Sequence, residues 1–124
     1  MARQAEGLLV ARCQRYIKKR WAGAVVRKLA DKNTKSLPDL QVLHQYKSVL
    51  LVLDIECKTP KGPIRPLQIY ALSDCNARLM GTAAGGYYRA RVVRSLDDLA
   101  MVMDEAEYHA LSQHHRVCLK QASH

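Results

Sequence analysis

The sequence predicts an α+β fold: a long basic N-terminal helix, a small antiparallel sheet of about four strands, and a C-terminal helix. Three observations predict it. Apolar residues recur at three- and four-residue spacing near the start, β-branched apolar runs fill the middle, and helical spacing returns after residue 95. At 124 residues and 48% apolar content, the chain is long enough for one modest core and too apolar to be disordered. It divides into a basic helix with its linker, residues 1–36, and a small α+β domain, residues 37–124.

Residues 5–31 read as one amphipathic helix. Val10, Cys13, Ile17, Trp21, Ala24 and Val25 form a single apolar stripe, with Arg12, Arg15, Lys18, Lys19 and Arg27 on its flanks and back. Gly23 weakens such a helix by about 1 kcal/mol relative to alanine without ending it. The segment 31–38 (DKNTKSLP) is a polar linker that Pro38 keeps from being helical.

Residues 48–57 (SVLLVLDIEC) read as a buried strand, 58–63 (KTPKGP) as a turn, and 64–73 as a second strand with Pro66 at an edge or bulge. A short turn leads to a third strand near 77–82. A glycine loop over 81–86 then leads to a fourth strand at 87–94 (YYRARVVR). Ser95 and Asp98 stand in capping order before an apolar face of Leu96, Leu99, Met103, Ala106 and Ala110. Acidic residues lie early in this helix and basic ones late, as its dipole favours.

The net charge of +9 is unevenly spread. Residues 1–36 carry ten Lys or Arg against Glu6 and Asp31, a balance of +8. Residues 37–124 carry ten basic and nine acidic side chains. Such asymmetry marks a surface for nucleic acid, an anionic membrane or an acidic protein. Cys13, Cys57, Cys75 and Cys118 are scattered, with no C-x-x-C pair, and there is no bilayer-length apolar run. These features favour free thiols and an intracellular protein, cytoplasmic or cytoskeletal.

The segment 11–22 (ARCQRYIKKRWA) resembles a degenerate IQ motif, the calmodulin- and light-chain-binding helix. Cys13 takes the apolar place, Gln14 the glutamine and Lys18 the first basic place. Lys19 stands where glycine is usual, and Gly23 where a second basic residue is usual. Ile17, Trp21 and Val26 also match the 1-5-10 anchor spacing of calmodulin targets. The resemblance implies an acidic, groove-bearing partner met by Cys13, Gln14, Ile17, Lys18, Lys19, Arg20, Trp21, Val25 and Val26. The same stripe would equally serve to pack the helix on the protein's own sheet.

A second reading is RNA or another polyanion. Tyr87, Arg89 and Arg91 alternate onto one face of their strand, an aromatic beside two guanidiniums. With Arg12, Arg15, Arg27 and Lys28 they are candidate nucleic-acid contacts.

Asp54-Ile55-Glu56 at the end of an apolar strand resembles the first motif of the DEDD 3′–5′ exonucleases, whose two carboxylates share a metal pair. That family needs further acidic motifs, and no Asn-x-x-x-Asp or His-x-x-x-x-Asp follows residue 95. The stretch 58–74 with 91–96 also loosely resembles the first strands of pleckstrin-homology-like domains. The run 81–86 (GTAAGG) lacks the Lys-Ser/Thr of a phosphate loop. His114, His115, Cys118 and His124 lack paired zinc spacing.

The sequence therefore leads to a non-catalytic adaptor or assembly subunit, not an enzyme, with no cofactor and no metal site. Its expected partner is calmodulin-like or a light chain. The alternatives are an RNA-binding subunit of a ribonucleoprotein and an exonuclease-like protein without activity.

Overall fold

The computed structural model describes residues 2–29, 38–60 and 86–122. In chain order these form α1 (Ala2–Arg20), β1 (Val25–Lys28), β2 (Leu40–Tyr46), β3 (Val49–Cys57), β4 (Gly86–Val93) and α2 (Leu96–Ala122). The fold is α+β, as the residue pattern predicts. None of the helices among these residues is long and apolar enough to cross a membrane.

The first helix is shorter than its periodicity suggests. It ends at Arg20, and Gly23 adopts a φ of 88°, a left-handed conformation that costs glycine no Cβ clash. The Trp21 N–H still donates to the Ile17 carbonyl at 2.7 Å, and the Ala24 N–H donates to Trp21 at 3.0 Å. Gly23 is thus the helix stop, which corrects its reading as an interior residue. Beyond it, Val25–Lys28 extend as an edge strand, as their β-branched start favours.

The four strands lie in the order β1-β2-β3-β4. Both β1/β2 and β2/β3 are antiparallel, with Lys28 opposite Leu40 and Leu40 opposite Ile55. A two-residue turn joins β2 to β3, with Lys47 in the left-handed region at φ 55°. β4 runs parallel to β3, Asp54 pairing with Ala90. The sheet is therefore mixed rather than antiparallel throughout. A parallel neighbour needs a crossover of a dozen or more residues, and the chain between Cys57 and Gly86 is long enough for one.

Two of the expected strands, at 48–57 and 87–94, correspond to β3 and β4. The strands expected at 64–73 and 77–82, and residues 81–85 of the expected loop, lie outside the described residues; Gly86, expected in that loop, opens β4. β1 and β2 were not anticipated: one was hidden in the helical stripe, the other in the short alternating run LQVLHQY.

Both helices join one sheet face in a single core. Val10, Cys13, Ile17 and Trp21 of α1 meet Val42, Leu51, Leu53, Ile55 and Cys57. Leu99, Met103, Ala106 and Ala110 of α2 close the cluster. Burying such side chains is worth about 1.5–3 kcal/mol each for the larger ones. The N-terminus of α2 is capped as expected: the Ser95 hydroxyl accepts the Asp98 N–H at 3.1 Å, while Asp98 accepts the Arg94 N–H at 2.8 Å.

Candidate active site

Strand alternation sends Leu53, Ile55 and Cys57 into the helix-covered core and Asp54 and Glu56 to the opposite face. Both acids are nevertheless buried, at 8% and 4% exposure. Their surroundings differ. Asp54 accepts the Tyr88 hydroxyl at 2.5 Å and the Gln41 amide at 3.3 Å, and so is held by neutral donors from the flanking strands.

Glu56 lies at the strand end among charges. The β2/β3 register carries Asp39, just before β2, alongside it. The Cys57 N–H donates to the Asp39 carboxylate at 2.8 Å, which fixes that carboxylate beside Glu56. Lys58, only 8% exposed, places Nζ 3.8 Å from Glu56 and 3.9 Å from Glu6 on α1. Its own N–H is anchored on the Val93 carbonyl at 3.0 Å, because β3 and β4 run parallel and end together. Four side chains from α1, the β2 entry and the β3 exit thus converge at the ends of the two inner strands.

The electrostatics follow from that crowding. Burial, then the charge and hydrogen bond of Asp39, push the Glu56 carboxyl up to about 8; Lys58 opposes the shift and Glu6 adds to it. Two carboxyl groups this close cannot both ionise cheaply in a dry site. Behind them Cys57 and Cys13 are free thiols with Sγ atoms 4.0 Å apart, and their mutual hydrogen bond with burial holds the Cys57 thiol protonated.

Sequence reasoning singled out Asp54 and Glu56 and missed Asp39, Lys58 and Glu6. The signal was present: Pro38-Asp39 opens one strand, and Glu56-Cys57-Lys58 closes the next with an acid and a base two residues apart.

The residues expected to meet a protein partner fall elsewhere. Cys13, Ile17 and Trp21 lie in the core, with Trp21 2% exposed and its indole stacked on His44. Its N–H donates to Glu107, which also pairs with Arg20 at 2.8 Å; Arg20 contacts Asp104 as well. Gln14 and Val26 are half-buried, while Lys18, Lys19 and Val25 are exposed. Of the nucleic-acid candidates, Arg12, Arg15, Arg27 and Lys28 are exposed. Tyr87, Arg89 and Arg91 do share a face, but all three meet Glu105 of α2. His114 bonds Ser48 at 2.8 Å.

No family model and no curated protein matches the sequence. Among solved structures, the chain is similar to one described as a VRR_NUC domain, with a TM-score of 0.56 and 23% identity. The match covers 81% of this chain and 95% of that one. The likeness concerns the fold. It overturns two expectations, the non-catalytic adaptor and the absence of enzymatic activity, because the neighbour is a nuclease-type domain. The apolar stripe that suggested the adaptor belongs to the core, which is why its periodicity was so clear.

Proposed function

We propose that this protein is a metal-dependent nuclease whose active site is Asp39, Glu56 and Lys58, with Glu6 beside them. The observation that carries the reading is the convergence of two neighbouring carboxyl groups and a buried ammonium at the ends of the two inner strands. The fold's likeness to a VRR_NUC domain supports it.

The donor set fits a divalent cation, although sequence reasoning expected none. Among the described residues no three His, Cys, Asp or Glu side chains form a closed metal cluster. Mg²⁺, however, takes one or two carboxylates and completes its shell with water and substrate phosphate. Asp39 and Glu56 offer hard oxygens of the right kind, and a cation held by them would offset the burial and the repulsion that push the Glu56 carboxyl up. When bound, such an ion supplies charge for the phosphoryl oxygens and lowers the pKa of a coordinated water.

The protein's own side chains do the rest. Lys58 holds a positive charge at the site, where it stabilises negative charge developing on the phosphate. Glu6 and Glu56 orient that ammonium from two sides. The Asp39 carboxylate is fixed by the Cys57 N–H, so its second oxygen faces a defined direction. Asp54 stands apart, its oxygens already engaged by Tyr88 and Gln41.

The test is cleavage of single-stranded and plasmid DNA, and of RNA, with Mg²⁺ or Mn²⁺ against chelator. Asp39→Asn, Glu56→Gln and Lys58→Met should each lower the rate by about 10²-fold or more. Absence of metal-dependent cleavage of all three substrates, or cleavage that survives all three substitutions, would overturn the proposal.

A further inference from the structure

Two adjoining clefts run along α1. The first, about 440 Å³, is lined by Leu8, Leu9 and Arg12 of α1, by Thr59, and by Arg94 and Leu96. The second, about 240 Å³, is lined by Arg12, Arg15, Tyr16, Lys19 and Leu96. They share Arg12 and Leu96 as common lining, so they lie end to end as one groove line along α1. It starts beside the site, since Ala5 and Thr59 also line it and adjoin Glu6 and Lys58. From there it follows α1 toward Lys19, about 20 Å at 1.5 Å per residue.

The lining has two characters. Arg12, Arg15, Lys19 and Arg94 set four cations against a single acid, Asp97. Arg94 is partly committed, donating to the Thr59 carbonyl at 2.7 Å, whereas Arg12, Arg15 and Lys19 reach solvent. Between these cations lie apolar side chains, among them Leu8 at 66% exposure and the half-buried Leu9 and Leu96.

We infer that this groove binds the single-stranded stretch of nucleic acid leading away from the cleaved bond. The inference rests on the nuclease reading for the position of the groove's inner end. Cations at three- and four-residue spacing match a run of phosphates. The apolar floor decides between one strand and two: a duplex keeps its bases stacked inside and offers leucines nothing, whereas an unpaired strand has base faces to bury. Tyr16 adds a ring at the outer end.

The experiment reads binding apart from cleavage. A short fluorescein-labelled oligodeoxythymidylate is titrated with the full chain in chelator, at several salt concentrations, beside a duplex of equal length. The double variant Arg15→Ala/Lys19→Ala should lose about tenfold in affinity, and its log–log salt slope should flatten by about 1.4, at 0.7 per lost phosphate contact. The control Lys18→Ala/Lys47→Asn removes the same charge; Lys18 lies on the other flank of α1 and Lys47 at the far β2–β3 turn. It should stay close to wild type. Leu8→Ser should weaken the single strand and leave the duplex unchanged.

A groove variant that keeps the wild-type slope, a control that loses as much, or a duplex that binds more tightly than the single strand would overturn the inference. Loss of binding in the groove variants of a protein that never cleaves would fault the nuclease reading and leave the groove standing. Cleavage by a groove variant that binds like wild type would do the reverse.

Discussion

Replacing Glu56 by glutamine removes a buried charge while keeping the side chain's shape. In the fold the Glu56 carboxyl is pushed from 4.5 up to about 8, first by burial and then by Asp39. Its folded value thus lies above its unfolded one. Between those values the folded chain holds a proton that the unfolded chain has lost, so stability falls as pH rises from about 4.5 to about 8 and then levels off. At 1.36 kcal/mol per unit, the ceiling on this loss is about 5 kcal/mol; relaxation of the site and entry of water around the ionised carboxylate bring the expected loss to about 2–3 kcal/mol. Glu56→Gln cannot ionise and escapes the loss. Near 4 °C per kcal/mol for a chain of this size, it should melt about 8–12 °C above wild type at pH 9, and close to wild type at pH 5.

Mg²⁺ provides the second arm of that assay. It should raise the wild-type melting temperature most at pH 9, where no proton must be displaced from Glu56, and leave the variant unmoved. The reasoning fails if the variant melts at or below wild type at pH 9, or if Mg²⁺ shifts both proteins alike.

Other substitutions test the fold and the division of labour among the acids. Trp21→Ala should cost about 3–5 kcal/mol in a denaturant titration, because the indole is core and hydrogen-bonded to Glu107; a loss under 1 kcal/mol would mean that α1 is loosely packed. Gly23→Ala should cost about 1–2 kcal/mol from its left-handed backbone, since open space surrounds the added methyl; an unchanged melting temperature would contradict the helix stop. Tyr88→Phe strips the buried Asp54 of one donor and should cost about 1–3 kcal/mol. Its cleavage rate should stay near wild type, and a rate falling as far as that of Glu56→Gln would bring Asp54 into the active site.

The elements legible in the sequence were those whose cause is local. Val49–Cys57 is a run of β-branched and apolar residues too continuous for a surface strand. The Ser95 cap and the apolar spacing of Leu99, Met103, Ala106 and Ala110 announce α2 because caps and helical faces involve neighbours in the chain. The stripe through Cys13, Ile17 and Trp21 was equally plain, but periodicity says only that one face is apolar, not what covers it. That ambiguity produced the partner-binding reading; the sheet beneath the stripe resolves it.

Glu56 was legible in the sequence, but tertiary structure decided which side chains join it in the candidate site. Asp39 follows a polar linker and carries no periodic signal, and it meets Glu56 only because β2 pairs antiparallel with β3 in one register. Lys58 looked like a turn residue; the parallel β4 supplies the Val93 carbonyl that holds its backbone in place. Glu6 was one acid on a basic helix until α1 packed across the strand ends and brought it to Lys58. Each of these contacts closes a long loop of chain, and strand register and helix packing, not the residues' own propensities, determine which distant side chains meet.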